Sequence, residues 1–311
     1  RQALKKVAPA NSRVLIAGAP GAGKELTARV IHAWSQRATG PFIILPAASM
    51  APERMEEELF GTEDPQGGRL RVGALEEAHG GTLYIDEVAD MPLETQGKVL
   101  RVLVDQTFQR VGGSKRVKVD VRILSSTSKD LEAQIKQGVF REDLYHRLAV
   151  VPVRVPALAE RREDIPELIE HFAKLYSIQS GQAQRRFAED AVAILQTQEW
   201  PGNVRQLRNN IERLMIMSAG DVQQEITAAM LAADANSNLS AGLSGIGSEQ
   251  LMALSLREAR EIFERDYLAA QLSRFGGNIS KTSSFVGMER SALHRKIKLL
   301  GLSEANRAEE H

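Results

Sequence analysis

RVLIAGAPGAGKELTARVIHAW, residues 13–34, narrows the possible folds more than any other stretch. RVLIA (Arg13–Ala17) is a short apolar run bounded by Gly18 and Pro20, and it reads as a buried strand. KELTARVIHAW after it carries apolar residues at helical spacing. Between them lies GAPGAGK: Gly18, Ala19, Pro20, Gly21, Ala22, Gly23 and Lys24. Glycines there let backbone N–H groups turn inward onto phosphate oxygens. The helix start adds positive potential, and Lys24 reaches the β- and γ-phosphates. The residue after the lysine is Glu25 where a hydroxyl for Mg²⁺ is usual, with Thr27 close by. FIIL, TLYI, VDVRILSS and VVPVRV are further short runs rich in β-branched residues, and helical stretches alternate with them. The alternation predicts an α/β fold, a parallel sheet with helices on both faces.

After about Pro156 the strand signals stop. Asp164–Tyr176, Ala188–Gln198 and Asn203–Ser218 read as amphipathic helices. DANSNLSAGLSGIGSEQLMA, 234–253, is rich in Ser, Gly, Ala and Asn and reads as a flexible linker. The expected division is therefore an α/β core over 1–156, a helical lid over 157–233, the linker over 234–253, and a small helical domain over 254–311. The chain starts at Arg1 rather than Met and reads as a fragment of something longer. Forty basic residues balance forty acidic ones, so charge must be read locally. There is no cysteine, which suits a reducing cytoplasm. The six histidines lack metal-ligand spacing, and no apolar run approaches the ~20 residues that span a bilayer.

GGTLYIDE, 80–87, is an apolar strand ending in two acids. Asp86 at the strand tip is a candidate Mg²⁺ holder, and Glu87 a candidate to polarise an attacking water. An exposed acidic turn is the plainer alternative. In FREDLYHRL, 140–148, Arg141 and Arg147 stand six apart in a predicted helix, hence on different faces. They are either surface arginines or groups that reach a neighbouring subunit's phosphate. In EWPGNVRQLRN, 199–209, Asn203 is a candidate helix cap. Arg205 falls in that helix's first turn, where the dipole disfavours a base and a phosphate contact explains one.

Near the C-terminus, Asn278 is placed to cap a short helix, and Gly287 supplies the turn of a helix-turn-helix. Ala259, Ile262, Phe263, Ala270 and Leu272 mark one apolar face of the preceding helix. Leu293, Ile297 and Leu300 face inward at i, i+4, i+7, leaving Arg290, Ser291, His294, Arg295 and Lys298 outward. Between Gly276 and Leu300, five Lys/Arg including Lys281 face one acid, a local +4 on a neutral chain. That is a nucleic-acid footprint, or else a solvated basic helix.

With these motifs in order, the chain resembles the NtrC family of bacterial enhancer-binding response regulators within the AAA+ ATPases. GAPGAGKE, ELFGTE, EEAHGGTLYIDEVADMP, KVLRVL, FQRVGG, FREDLYHRL and EWPGNVRQL carry the resemblance, and Glu after the lysine is normal there. It implies an AAA+ P-loop core, a helical lid and a C-terminal Fis-type helix-turn-helix. It implies ATP/ADP with Mg²⁺ at Gly18–Glu25, with Ser128 and Arg205 as sensor residues. Arg141 and Arg147 are implied as arginine fingers. DNA binding is implied through Lys281, Arg290, Ser291, His294, Arg295 and Lys298, by a C-terminal dimer on two-fold related half-sites. Higher oligomers through the core, and a sensor histidine kinase acting on a receiver domain outside this chain, follow from the same resemblance.

Three departures matter. Sigma-54 activators of the family carry GAFTGA in the loop after ELFGHE; here DPQGGRLRVG, 64–73, is shorter and has no Phe or Thr. Loss of that element is typical of NtrX-like members. The Asn that usually orients the catalytic Glu is Pro46, and the usual sensor Asn after Thr127 is Ser128. The expected function is a DNA-binding transcription regulator of a two-component system that binds ATP, hydrolyses it slowly or not at all, and does not activate sigma-54 polymerase. On this reading Glu87→Gln leaves nucleotide affinity intact. The alternative is an active sigma-54 activator hydrolysing ATP in a hexameric ring. A metabolic P-loop enzyme such as a nucleotide kinase is a third reading, against which the tail from Leu254 argues.

Overall fold

The computed structural model describes residues 2–64, 69–217, 225–231 and 256–302. The expected linker lies outside the described residues, as do the side chains of Ala259, Ile262 and Phe263. Two compact units result, 1–157 with 202–205, and 158–201 with the chain from 206 onward.

The first unit is built on five parallel strands: β1 (Val14–Ala17), β2 (Phe42–Pro46), β5 (Thr82–Asp86), β8 (Arg122–Thr127) and β9 (Val151–Arg154). Their order is β2-β5-β8-β1-β9, with every neighbouring pair parallel, as the alternation of elements predicts. Successive side chains on a strand point to opposite faces, so the apolar runs feed two cores. Val14, Ile16, Tyr84 and Leu124 pack with Ala28 and Ile31 of α2 (Lys24–Ala33) on one face. Leu15, Leu83, Ile85 and Ile123 pack on the other with α3 (Pro52–Phe60), α5 (Leu93–Asp105) and α7 (Glu142–Leu148). Continuous apolar runs without polar alternation follow from burial on both faces. Arg122, 2% exposed, opens β8 and donates to the carbonyls of Val7, Ala8 and Ser12, which fastens α1 (Gln2–Val7) to the sheet.

Two short hairpins were not legible as strands. β3 (Thr62–Glu63) pairs antiparallel with β4 (Arg69–Arg71), and β6 (Thr107–Gln109) with β7 (Arg116–Lys118). The loop expected over 64–73 is therefore shorter than its sequence suggests, because Arg69–Arg71 return as a strand. Strands of two or three residues carry too little period to register. Val111 bridges Thr62, and Arg110 places its guanidinium between Glu63 and Glu76 of α4 (Ala74–Glu77), so the hairpins are joined at their bases.

The second unit contains α8 (Ile165–Ser180), one turn longer than expected, α9 (Glu189–Thr197) and most of α10 (Asn203–Met217). It also holds α11 (Leu256–Arg274), α12 (Ile279–Val286) and α13 (Arg290–Leu299). The Asn278 side chain accepts from the Lys281 amide at 3.1 Å, and Gly287 ends α12 at φ 70°. Leu293, Ile297 and Leu300 join Leu268 and Leu272 in a buried cluster, the inward face that spacing predicts.

Candidate functional site

β1, β2, β5 and β8 end together at one edge of the sheet, in the register Pro46↔Asp86 and Ala17↔Thr127. The glycine loop leaves β1 at this edge and opens α2. The Gly18 amide donates to the Thr127 carbonyl at 3.1 Å, and Ala22 to that of Ala19 at 3.2 Å. Gly21 and Gly23 have φ of 74° and 105°, a left-handed region that favours glycine. A Cβ on Gly23 would meet nothing within 4 Å, so the concavity is open where phosphate oxygens fit, at the N-terminus of a ten-residue helix. At Gly21 a Cβ would stand 2.3 Å from the Gly202 carbonyl oxygen, so glycine there permits close approach of the WPGN segment.

That segment seats Arg205. Its amide donates to the Gly21 carbonyl at 3.3 Å, and its exposed guanidinium takes no partner among the described residues. Asn203 does more than sit at the start of α10. It is buried at φ 53°, and its side-chain amide donates to the Pro20 carbonyl at 2.9 Å, tying the segment to the phosphate loop. The Glu25 side chain pairs with Arg29, and its backbone lies in the first turn of α2.

The acids at the tip of β5 are tightly held. Asp86 Oδ1 accepts from the Tyr84 hydroxyl at 2.8 Å and from Ser126 Oγ at 2.6 Å, while Oδ2 takes no bond among the described residues. Mg²⁺ fits at this second oxygen. Burial, reinforced by the Asp86 charge, raises the Tyr84 hydroxyl pKa well above its ordinary value and keeps it a donor. Glu87 sits at φ 55° with its amide donating to Ser126 Oγ at 3.1 Å. Its Oε1 lies 2.9 Å from Lys24 Nζ, and its Oε2 accepts from Ser128 N at 2.7 Å and Ser128 Oγ at 2.9 Å. Lys24, 6% exposed, also donates to the Gly18 carbonyl at 2.8 Å and the Ala19 carbonyl at 3.4 Å. Tyr84 and Ser126 were missed from the sequence. Their signal is i, i+2 spacing to Asp86 for Tyr84, whereas Ser126 arrives from a strand 40 residues away.

Residues 1–154 match the family described as Sigma-54 interaction domain, 159–242 the AAA+ ATPase lid domain, and 259–300 the bacterial regulatory protein, Fis family. The nitrogen assimilation regulatory protein NtrX of Azorhizobium caulinodans is 61% identical over 302 residues, covering 97% of this chain and 66% of that protein. Crystal structures of NtrX from Brucella abortus in complex with ADP and with ATP share 61% identity at TM-score 0.87, covering 97% of this chain and 67% of theirs. The chain belongs to the NtrX/NtrC-like family of AAA+ regulators. Within this family the DNA-binding transcriptional regulator NtrC of Escherichia coli K12 is 39% identical over 314 residues, covering 93% of this chain and 65% of that protein. The chain thus spans about two thirds of the length of these curated relatives.

The expected arginine fingers of the family separate in the structure. Arg141 is not in the helix: it is the extended residue before α7, at φ −83° and ψ 128°, and its guanidinium grips Asp143 at 3.0 and 2.7 Å. That contact lowers the Asp143 pKa. Asp143 competes for Arg141 because a carboxylate two residues on reaches back to the pre-helical guanidinium. Arg147 lies in α7, exposed and without a partner among the described residues. On α12 and α13 the side chains of Lys281, Arg290, Ser291, His294, Arg295 and Lys298 are all exposed, and Ser291 Oγ donates to Glu289 at 2.9 Å. Lys296 is set apart from them by its pair with Glu264 at 2.9 Å.

Proposed function

We propose that the chain is the nucleotide-binding and DNA-binding part of a two-component transcription regulator of the nitrogen-regulation type, with ATP or ADP and Mg²⁺ acting chiefly as a conformational ligand. The working parts are taken as 1–156 for nucleotide, 157–233 as lid, 234–253 as linker and 254–311 for DNA and dimerisation. Gly18–Lys24, Arg205 and Asp86 supply the donors and the metal-facing oxygen. NtrX of Brucella abortus was solved with both nucleotides, which supports the assignment.

The observation that carries the reading is the state of Glu87. Three of its roughly four acceptor sites are taken, two by Ser128 on Oε2 and one by Lys24 on Oε1, which weakens it as a base toward water. Pro46, the register partner of Asp86, has no amide to draw the carboxylate elsewhere. Slow or absent hydrolysis follows. Output to sigma-54 polymerase is not expected, because 64–73 lacks the Phe and Thr of GAFTGA and Arg69–Arg71 of that stretch pair as a strand with β3. The exposed faces of α12 and α13 take duplex DNA, as a dimer on two-fold related half-sites.

Steady-state ATP hydrolysis across protein concentration, with nucleotide binding measured in parallel, tests this. Tight binding with almost no turnover is expected. Brisk turnover that rises with concentration and disappears in Arg147→Ala refutes it and favours the second reading, a ring ATPase that activates sigma-54 polymerase. Arg147, exposed and without a partner among the described residues, is the feature in that reading's favour, and open-complex formation with sigma-54 polymerase is its direct assay.

A further inference from the structure

We propose that Ser128 is a positioning residue that clamps Glu87 onto Lys24, so that Glu87 competes with phosphate for this lysine. The proposal rests on the nucleotide-binding reading above and adds a regulatory feature to it.

Lys24 has three N–H donors, and all three are in use: on Gly18, on Ala19 and on Glu87. The Ala19 contact at 3.4 Å is the weakest and yields most readily, but a phosphate brought to this ammonium also meets the Glu87 carboxylate as a like charge held against it. Glu87 is the strongest of the three, since it alone is charged and its side chain is only 16% exposed. Its carboxylate has little freedom to leave. The backbone is anchored in a left-handed conformation by the Ser126 hydroxyl. Ser128 N and Oγ hold the far oxygen at 2.7 and 2.9 Å, which aims the near oxygen at Lys24. The single Ser128 hydroxyl proton is spent on Glu87 and is not available to a phosphate at the same time. Ser128 therefore acts through Glu87, in place of the direct nucleotide contact expected of it. On this proposal Glu87→Gln tightens nucleotide binding, where the sequence alone leads one to expect no change.

Free-state contacts that must break on binding weaken the apparent affinity. Ser128→Ala loosens the clamp, so it should tighten binding. The gain should be roughly 3- to 10-fold, the scale of one hydrogen bond to a partly exposed charge. ADP and ATP should gain alike, because the lysine is released for either.

The test is titration calorimetry of ADP and of ATP into the full chain, as wild type, Ser128→Ala, Glu87→Ala, the double variant and Ser128→Thr. Both single variants are expected to tighten both nucleotides. Ser128→Ala should add less than about twofold once the Glu87 side chain is gone, as coupled neighbours require. Ser128→Thr, which keeps the hydroxyl, should return to the wild-type value. A Ser128→Ala chain that loses ATP affinity while keeping ADP affinity puts the hydroxyl on the terminal phosphate and overturns the proposal. An equal effect with and without the Glu87 side chain overturns it too. A folded wild-type chain that binds neither nucleotide overturns the nucleotide-binding reading itself.

Discussion

Removing Glu63 tests how the two hairpins are joined. The Glu63 side chain is 2% exposed, and its Oε2 lies 3.0 Å from Arg110 Nη1. The same guanidinium, 14% exposed, grips Glu76 through Nε at 2.7 Å and Nη2 at 2.8 Å. Its pKa is raised, first by the bond to Glu76 and then by that to Glu63. At 3.0 Å and an effective dielectric of about 20, the Glu63–Arg110 attraction is about 5 kcal/mol before desolvation. Burial of both groups offsets several kcal/mol of this, which leaves a net coupling of about 2 kcal/mol. Deleting one partner costs more than the coupling, because the other stays buried with its charge under-compensated. Glu63→Ala should therefore destabilise the α/β unit by about 3 kcal/mol, and Arg110→Ala by at least as much. Urea unfolding followed by Trp34 fluorescence, with Trp200→Phe as the common background, reads this unit. In the double variant the losses should fall short of their sum by about 2 kcal/mol. Additive losses, or a Glu63→Ala loss below about 1 kcal/mol, would refute the view that this triad is a buried structural weld.

Three further outcomes are expected. Leu293, fully buried against Leu268 and Leu272, should cost about 2–4 kcal/mol when changed to Ala; thermal unfolding of the C-terminal domain and loss of DNA binding, with ADP titration unchanged, check it. Arg295→Ala should weaken binding to a duplex selected from random sequence by more than ~1 kcal/mol, and unchanged affinity at moderate salt removes it from the interface. Burial holds the His32 pKa below its ordinary value. In this depressed-pKa case the unfolded chain takes the proton first, so stability is whole above about pH 6.5 and falls as pH drops toward the folded value. A His32→Gln chain should lose less stability than wild type between pH 7 and 5 in urea titrations.

The parallel sheet was legible because strands buried on both faces are mostly apolar, and Val14–Ala17 and Leu83–Ile85 obey that locally. The helix-turn-helix was legible for a similar reason: Asn278 and Gly287 act within their own turns, and Leu293, Ile297 and Leu300 share one helix face. The β3 and β6 hairpins were not, since strands of two and three residues are stabilised by each other and by the Arg110 triad rather than by their own pattern. Arg141 was misplaced because a boundary residue's conformation depends on partners, here Asp143 and the Gln96 side chain that accepts its amide at 2.9 Å.

The sequence by itself determined which chemical groups are present: a phosphate loop, two acids at a strand tip, an arginine behind WPGN, and a basic helix. These are short, contiguous devices whose physics lies in a few neighbouring residues. Only the tertiary structure decided how the acids are used. Lys24, Glu87, Ser126 and Ser128 come from three strand ends scattered over about a hundred residues, and parallel pairing brings them within hydrogen-bond distance. A carboxylate's partners are set by distance in space, and the crossover connections of a parallel sheet make that distance unreadable along the chain.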